Sequence, residues 1–201
     1  ELAILASMVL VTLSMMGYAR EEIRSRRECY ALFLLSTLGM LFVVGAQHLG
    51  LIYLGLELIS IFSYLLTGFL RKEPTSIEGA LKYFLFGALA TGAMLYGISL
   101  VYGLTGTLHL GGMAAAFPQV MSQMPVVGTL ALLLLIVGMG FKVALVPFHM
   151  WAPDAYEGAP TPVTTFLSLA PKLAGFAVLT RILMMGLGNQ AAVWTVLLGV
   201  L

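Results

Sequence analysis

The sequence predicts an all-α, polytopic transmembrane helix bundle. Three observations predict it. Of the 201 residues, 60% are hydrophobic and only 9% are charged, against about 25% charged residues in soluble domains. The mean hydropathy is +1.01, and several apolar runs approach the roughly 20 residues that a spanning helix needs. Those runs are too long, and alternate too little, for spanning strands of about 9–11 residues. A net charge of +1 gives no reason to expect nucleic acid as a partner. The one cysteine, Cys29, excludes an internal disulfide and a thiolate metal cluster. The absence of complete GxGxxG, GxxxxGK[ST] and HExxH patterns argues against nucleotide binding and zinc hydrolysis.

We expect a single transmembrane domain over 1–201, with about five full spans and the start of another. The apolar segments lie at about residues 2–18, 30–45, 49–70, 77–102, 128–146 with a continuation past Pro147, and 162–184. A last apolar run, "AAVWTVLLGVL", is too short to span. The chain opens at Glu1 and closes inside that run, so it is expected to be a piece of something longer.

Loop charge orients the bundle. Loop 19–29 carries Arg20, Arg24, Arg26 and Arg27, and loop 71–76 carries Arg71 and Lys72. Two spans separate these loops, so both lie on one side. The positive-inside rule makes that side cytoplasmic or its organellar equivalent. Segment 103–127 has no Lys or Arg and is expected as a loop on the outer side. Thr75-Ser76-Ile77-Glu78 has the form of a capping box. Thr161-Pro162 has the form of an N-cap followed by proline at the first helical position.

Four ionisable residues fall inside the spans: Glu57, Lys82, Lys142 and Lys172. A charge at the bilayer centre costs about 2.5–3.5 kcal/mol even on lenient insertion scales, so such residues are candidates for function. Glu57 lies about 12 Å into its helix at 1.5 Å per residue. Tyr53, Glu57, Ser60, Tyr64 and Thr67 recur at four- and three-residue spacing and form one polar stripe, able to hold water beside a carboxylate. The plain alternative is a hydrogen-bonded helix seam with an inert, protonated glutamate. Serine and tyrosine alone would make such a seam, which favours a functional carboxylate.

Lys82 follows Glu78 by one turn in the favourable order, and an ordinary interfacial ion pair explains it equally well. Lys142 lies five residues before Pro147, and its side chain leans toward its helix N-terminus and the midplane. Pro147 breaks or kinks that helix, and broken helices at membrane depth line protein or water cavities. His149 lies just beyond the break. Lys172 is the most central, about 15 Å into its helix, directly after Pro171, which frees a carbonyl one turn back. Lysines and a glutamate at interior depth on separate helices suit a proton relay, because burial and a neighbouring carboxylate act on a lysine in opposite directions.

At these residues the chain resembles a known family. "GMGFKVALVPFHMWAPDAYEGAPTPVTTFLSLAPKLAGFAVLTRIL" (138–183) and "GLELISIFSYLLTGFLRKEPTSIEGALKYFLFGALATG" (55–92) resemble the antiporter-like membrane subunits of respiratory complex I, the proton-pumping NADH:quinone oxidoreductase. The "PDAYEGAPTP" loop and the lysine of "APKLAG" resemble the subunit N type, whereas the L type tends to have histidine where Lys172 stands. The resemblance implies inverted five-helix repeats with broken helices, the first of which this chain would hold. It implies relay roles for Glu57, Lys142, Lys172 and Lys82, the last matching a lysine of the sixth helix in subunit N types. The second repeat, with its own central lysine, is absent here, so the outward half of a path is not visible.

The resemblance further implies neighbouring antiporter-like and small membrane-arm subunits as partners, beside the lipid bilayer. It places FMN, iron–sulfur clusters and quinone in other subunits, with no cofactor in this chain. It implies a multi-pass protein of the energy-coupling membrane, the bacterial inner membrane or its organellar equivalent. A subunit of the related multisubunit sodium/proton antiporters shares the buried glutamate and lysines, but the "DAYEGAPTP" loop favours complex I. A purely structural subunit with inert buried pairs is the reading from another class.

Overall fold

The structure, a computed structural model, describes residues 1–18 and 26–200. Its regular elements are helices α1 (Leu2–Gly17), α2 (Arg26–Gly45), α3 (Leu49–Thr67), α4 (Pro74–Thr105), α5 (Leu110–Gln123), α6 (Pro125–Val143), α7 (Ala152–Gly158), α8 (Thr161–Arg181) and α9 (Ala191–Val200). A π-helical turn, Ile182–Gly186, prolongs α8. Among the described residues, five segments are long and apolar enough to cross a membrane: Arg27–Gly45, Leu49–Thr67, Pro74–Thr105, Pro125–Val143 and Thr161–Gly186. Leu2–Gly17 is apolar but shorter. The all-α transmembrane bundle is therefore as the sequence predicts, while the segment expected at 2–18 forms a helix shorter than the spanning ones. The basic segment 19–29 falls mostly outside the described residues, and α2 has already begun at Arg26.

Without a hydrophobic drive between helices in lipid, close approach depends on small residues. Gly39 of α2 and Gly55 of α3 face each other. A Cβ on Gly55 would stand 3.0 Å from the Val43 Cβ and 3.4 Å from the Gly39 carbonyl oxygen. Gly79 does the same for α4 and α7, where a Cβ would stand 2.5 Å from the Asp154 carbonyl oxygen. The apolar faces left outward, such as Leu34, Leu54, Leu89 and Tyr96, suit lipid contact. The inner faces are dominated by Phe33, Phe117, Phe141, Trp151 and Phe166, all nearly inaccessible.

Several boundary expectations are corrected. Segment 103–127 is not a plain loop: α4 runs to Thr105, and α5 fills most of the remainder. Leu110, Met113, Phe117 and Val120 of α5 are buried, a three–four–three spacing that gives one apolar face. The turn expected at 71–76 ends earlier, because Pro74 begins α4, with Glu73 as N-cap. The Thr75–Glu78 capping box does not form. Ser76 instead donates its hydroxyl to the Thr67 carbonyl at 2.8 Å, closing the α3–α4 connection, while Glu78 pairs with Lys82. Thr161 is inside α8 rather than its cap, which is Pro160. Helix α8 continues through Pro171 without ending there.

The break near Pro147 exists but begins four residues earlier than proline placement suggests. Helix α6 ends at Val143, and Ala144 takes a left-handed conformation, φ 57°. The Leu145 N–H reaches the Gly140 carbonyl at 2.8 Å, and the Ala144 N–H the Phe141 carbonyl at 3.2 Å. This is the Schellman pattern, which usually has glycine where Ala144 stands. The residue before a proline avoids helical dihedrals, so the helix must finish ahead of Val146. An L-residue in this region costs roughly 1–2 kcal/mol, offset in part by the greater chain entropy that glycine loses. Ala144→Gly is therefore expected to stabilise the fold by up to about 1 kcal/mol, seen as a higher unfolding midpoint in detergent.

Candidate functional site

The polar stripe of α3 faces into the bundle, with Ser60 and Thr67 buried. Ser60 donates its hydroxyl to the Leu56 carbonyl at 2.6 Å. That leaves its oxygen lone pairs open, and the Lys142 ammonium donates to them in a short contact. Lys142 also reaches the Leu56 carbonyl at 3.4 Å. The lysine at the end of α6 is thus anchored on α3, in the turn that carries Glu57. The ammonium does not meet the Glu57 carboxylate within ion-pair distance; the ion pairs among the described residues are those of Lys82. Glu57 Oε1 is buried without a hydrogen-bond partner. A buried polar atom in that state is costly unless water serves it.

One turn further, Tyr64 packs edge-on against Tyr83 of α4, with ring centroids 4.6 Å apart. Its buried hydroxyl fits into the space that the missing side chain of Gly87 leaves. Thr67 contributes no such group: its hydroxyl goes to the Ser63 carbonyl at 2.9 Å, within its own helix. A cavity of about 550 Å³, lined by Glu28, Tyr64, Leu65, Gly68, Phe69 and Arg71 among others, extends from the α3–α4 turn to Tyr64.

Lys172 lies on α8 with its Nζ buried, without a hydrogen-bond partner, 4.7 Å above the centroid of the Trp151 ring. That distance is within the range of a cation–π contact. Trp151, 2% exposed, ends the broken segment. Its ring stacks on Tyr83 at 4.0 Å and 8°, and its indole N–H donates to the Phe141 carbonyl at 3.3 Å. Phe141 precedes Lys142, whose Nζ stands 5.5 Å from the Phe141 ring centroid. Helix α8 also touches Lys142 directly: a Cβ on Gly175, one turn beyond Lys172, would lie 3.8 Å from the Lys142 Cβ. A chain of ring contacts through Trp151 and Phe141 thus links Lys172 to Lys142.

Other expected residues lie apart. Lys82 pairs with Glu78 at 2.6 Å and with Asp154 at 2.9 Å, its side chain 38% exposed. His149 is exposed on the turn after the break. Pro147 and Phe148 line an apolar cavity of about 340 Å³ with Phe86 and Met150. Pro171 stays within α8, next to Lys172. Trp151, Tyr83, Phe141 and Asp154 were not singled out by spacing, because an aromatic or acidic residue in an apolar run carries no signal until its neighbour across the bundle is known. Among the described residues, no three His, Cys, Asp or Glu side chains gather to hold a metal ion.

Residues 46–201 match the family described as "NADH:quinone oxidoreductase/Mrp antiporter, TM". The chain belongs to this family. The NADH-quinone oxidoreductase subunit N of Erythrobacter litoralis is 49% identical over 169 residues, covering 84% of this chain and 34% of that protein. That of Ruthia magnifica subsp. Calyptogena magnifica is 43% identical over 200 residues, covering 96% of this chain and 41% of that protein. A chain of respiratory complex I from Thermus thermophilus superposes with TM-score 0.75 at 41% identity, covering 89% of this chain and 39% of that one. The family member described here thus spans about two fifths of the length of the subunit N of Ruthia magnifica.

Proposed function

We propose that this chain is part of a subunit N of NADH:quinone oxidoreductase, in the membrane arm of complex I, and that it relays protons. The observation that carries this reading is Lys142, held by Ser60 and Leu56 on the helix turn of Glu57, with Lys172 reached through Trp151 and Phe141. A proton enters by the cavity at Arg71 and Tyr64, passes along the α3 stripe to Lys142, and moves on to Lys172. Glu57 acts on Lys142 through space from the same turn rather than by a direct pair. The named curated relatives support complex I over a sodium/proton antiporter of the same family. In this reading FMN, the iron–sulfur clusters and the quinone belong to other subunits, and the partners are neighbouring membrane-arm subunits. The chain would sit in the bacterial inner membrane or its organellar equivalent.

The test is proton uptake per NADH oxidised in inverted membrane vesicles. Lys142→Ala and Glu57→Ala are expected to lower it several-fold with the complex still assembled, the lysine more than the glutamate. Normal uptake in both would sink the relay. Copurification with sodium/proton antiporter subunits, and no NADH-oxidising arm, would replace complex I with that assembly.

A further inference from the structure

Resting on the relay reading, we propose that Lys82 is a positioning residue: it clamps Asp154 and so holds α7, with Trp151 at its start, in the contact chain between Lys142 and Lys172. Three observations converge on this. First, Lys82 is the sole charged link between α4 and α7 among the described residues. Its ammonium binds Asp154 of α7 at 2.9 Å and Glu78 of its own helix at 2.6 Å. Two of its three donors are thereby committed to carboxylates.

Second, α7 is docked on α4 mainly by backbone approach. Gly79 lies under the Asp154 carbonyl, and Gly158 lies against the Thr75 carbonyl. Such flat contacts resist compression but leave sliding along the α4 axis to be resisted by side chains. The Lys82–Asp154 pair sits at the first turn of α7, where it opposes that sliding. Third, Trp151 is the N-cap of α7. A shift of that turn is carried directly to the indole that Lys172 covers at 4.7 Å and that bonds the Phe141 carbonyl. The stacked partner of Trp151 is Tyr83, the residue after Lys82. Clamp and stack therefore act on the same short stretch of α4.

A clamp and a proton carrier answer differently to arginine. Arginine keeps the charge and forms the same kind of ion pair, but does not release its proton in proteins. In membrane vesicles holding the full complex, protons taken up per NADH oxidised are measured. This ratio does not change merely because less complex assembles. With Lys82→Arg the ratio is expected to stay within about two-fold of the unmodified complex. Lys82→Met and Asp154→Asn are expected to lower it several-fold, and Asp154→Glu to recover most of it. Glu78→Gln, which breaks the pair within α4 but not the link to α7, is expected to leave it unchanged.

If Lys82→Arg falls as low as Lys82→Met, Lys82 carries protons and the proposal is wrong. Unchanged coupling in Asp154→Asn, or a loss in Glu78→Gln equal to that in Asp154→Asn, overturns it as well. If Lys82→Met does not assemble, the arginine and asparagine variants decide alone. Lys142→Ala is measured in parallel. If it pumps normally, the relay falls and the proposal with it; if it is defective while Lys82→Met and Asp154→Asn pump normally, the proposal alone falls.

Discussion

If the proposed relay holds, Lys142→Arg is expected to assemble normally and to stop proton transfer through this chain. Guanidinium offers more donors than ammonium, so the bonds to Ser60 and the Leu56 carbonyl can be replaced. The cost to stability is then limited to fitting a larger head near Phe141, roughly 1–3 kcal/mol for an overpacked site. Transport fares differently. A relay station must bind a proton and release it within each cycle, and arginine stays charged in proteins. The proton-to-NADH ratio is expected to fall at least as far as in Lys142→Ala, although the positive charge is preserved. A variant with normal pumping would show that Lys142 supplies only charge, as a structural subunit would require. The contrast with Lys82→Arg makes the two lysines separable: the same chemical change is harmless at a clamp and fatal at a carrier.

Trp151→Ala is expected to have the largest effect on stability, about 3–5 kcal/mol for a truncated buried aromatic residue. The ring stacks on Tyr83 at 4.0 Å, stands 5.4 Å from Phe141 and lies under Lys172. Its removal opens a cavity next to the Lys172 amine and takes the indole donor from the Phe141 carbonyl, which keeps the Ala144 N–H. One lost hydrogen bond to an acceptor that keeps another donor costs about 0.5–1.5 kcal/mol. Trp151→Phe separates these contributions. It keeps a ring for stacking and for Lys172 but loses the N–H, and is expected to cost about 0.5–1.5 kcal/mol. Thermal unfolding in detergent, followed alongside proton uptake, reads both. An alanine variant as stable as the parent would remove Trp151 from the core that joins the lysines.

Much of the site was legible in the sequence because the bilayer makes ionisable residues expensive. Glu57, Lys142 and Lys172 stand out in apolar runs on cost alone. The α3 stripe followed from helical periodicity, and Ser60 does meet Lys142 as that periodicity allows. Thr67 fits the same period but turns its hydroxyl back to Ser63, because a threonine hydroxyl satisfies itself on the preceding turn of its own helix. His149 looked well placed beside the break, yet the turn exposes it. The break itself was visible as Pro147, but its position was not. It is set by the left-handed Ala144 and the Schellman bonds before the proline, and alanine gives no sign of that geometry.

The sequence by itself determined the membrane bundle and the residues whose charge demands a reason. These depend on composition, run length and local period, which the chain carries without any knowledge of what it packs against. Only the tertiary structure decided which charges share an environment. Spacing offers Lys82 only Glu78 of its own helix and gives Lys142 no partner at all. Packing gives the first to Asp154, 72 residues away, and the second to Ser60, 82 residues away. The physical reason is that a side chain's environment in a bundle is made by other helices, and glycines such as Gly79 and Gly175 set how near those helices come.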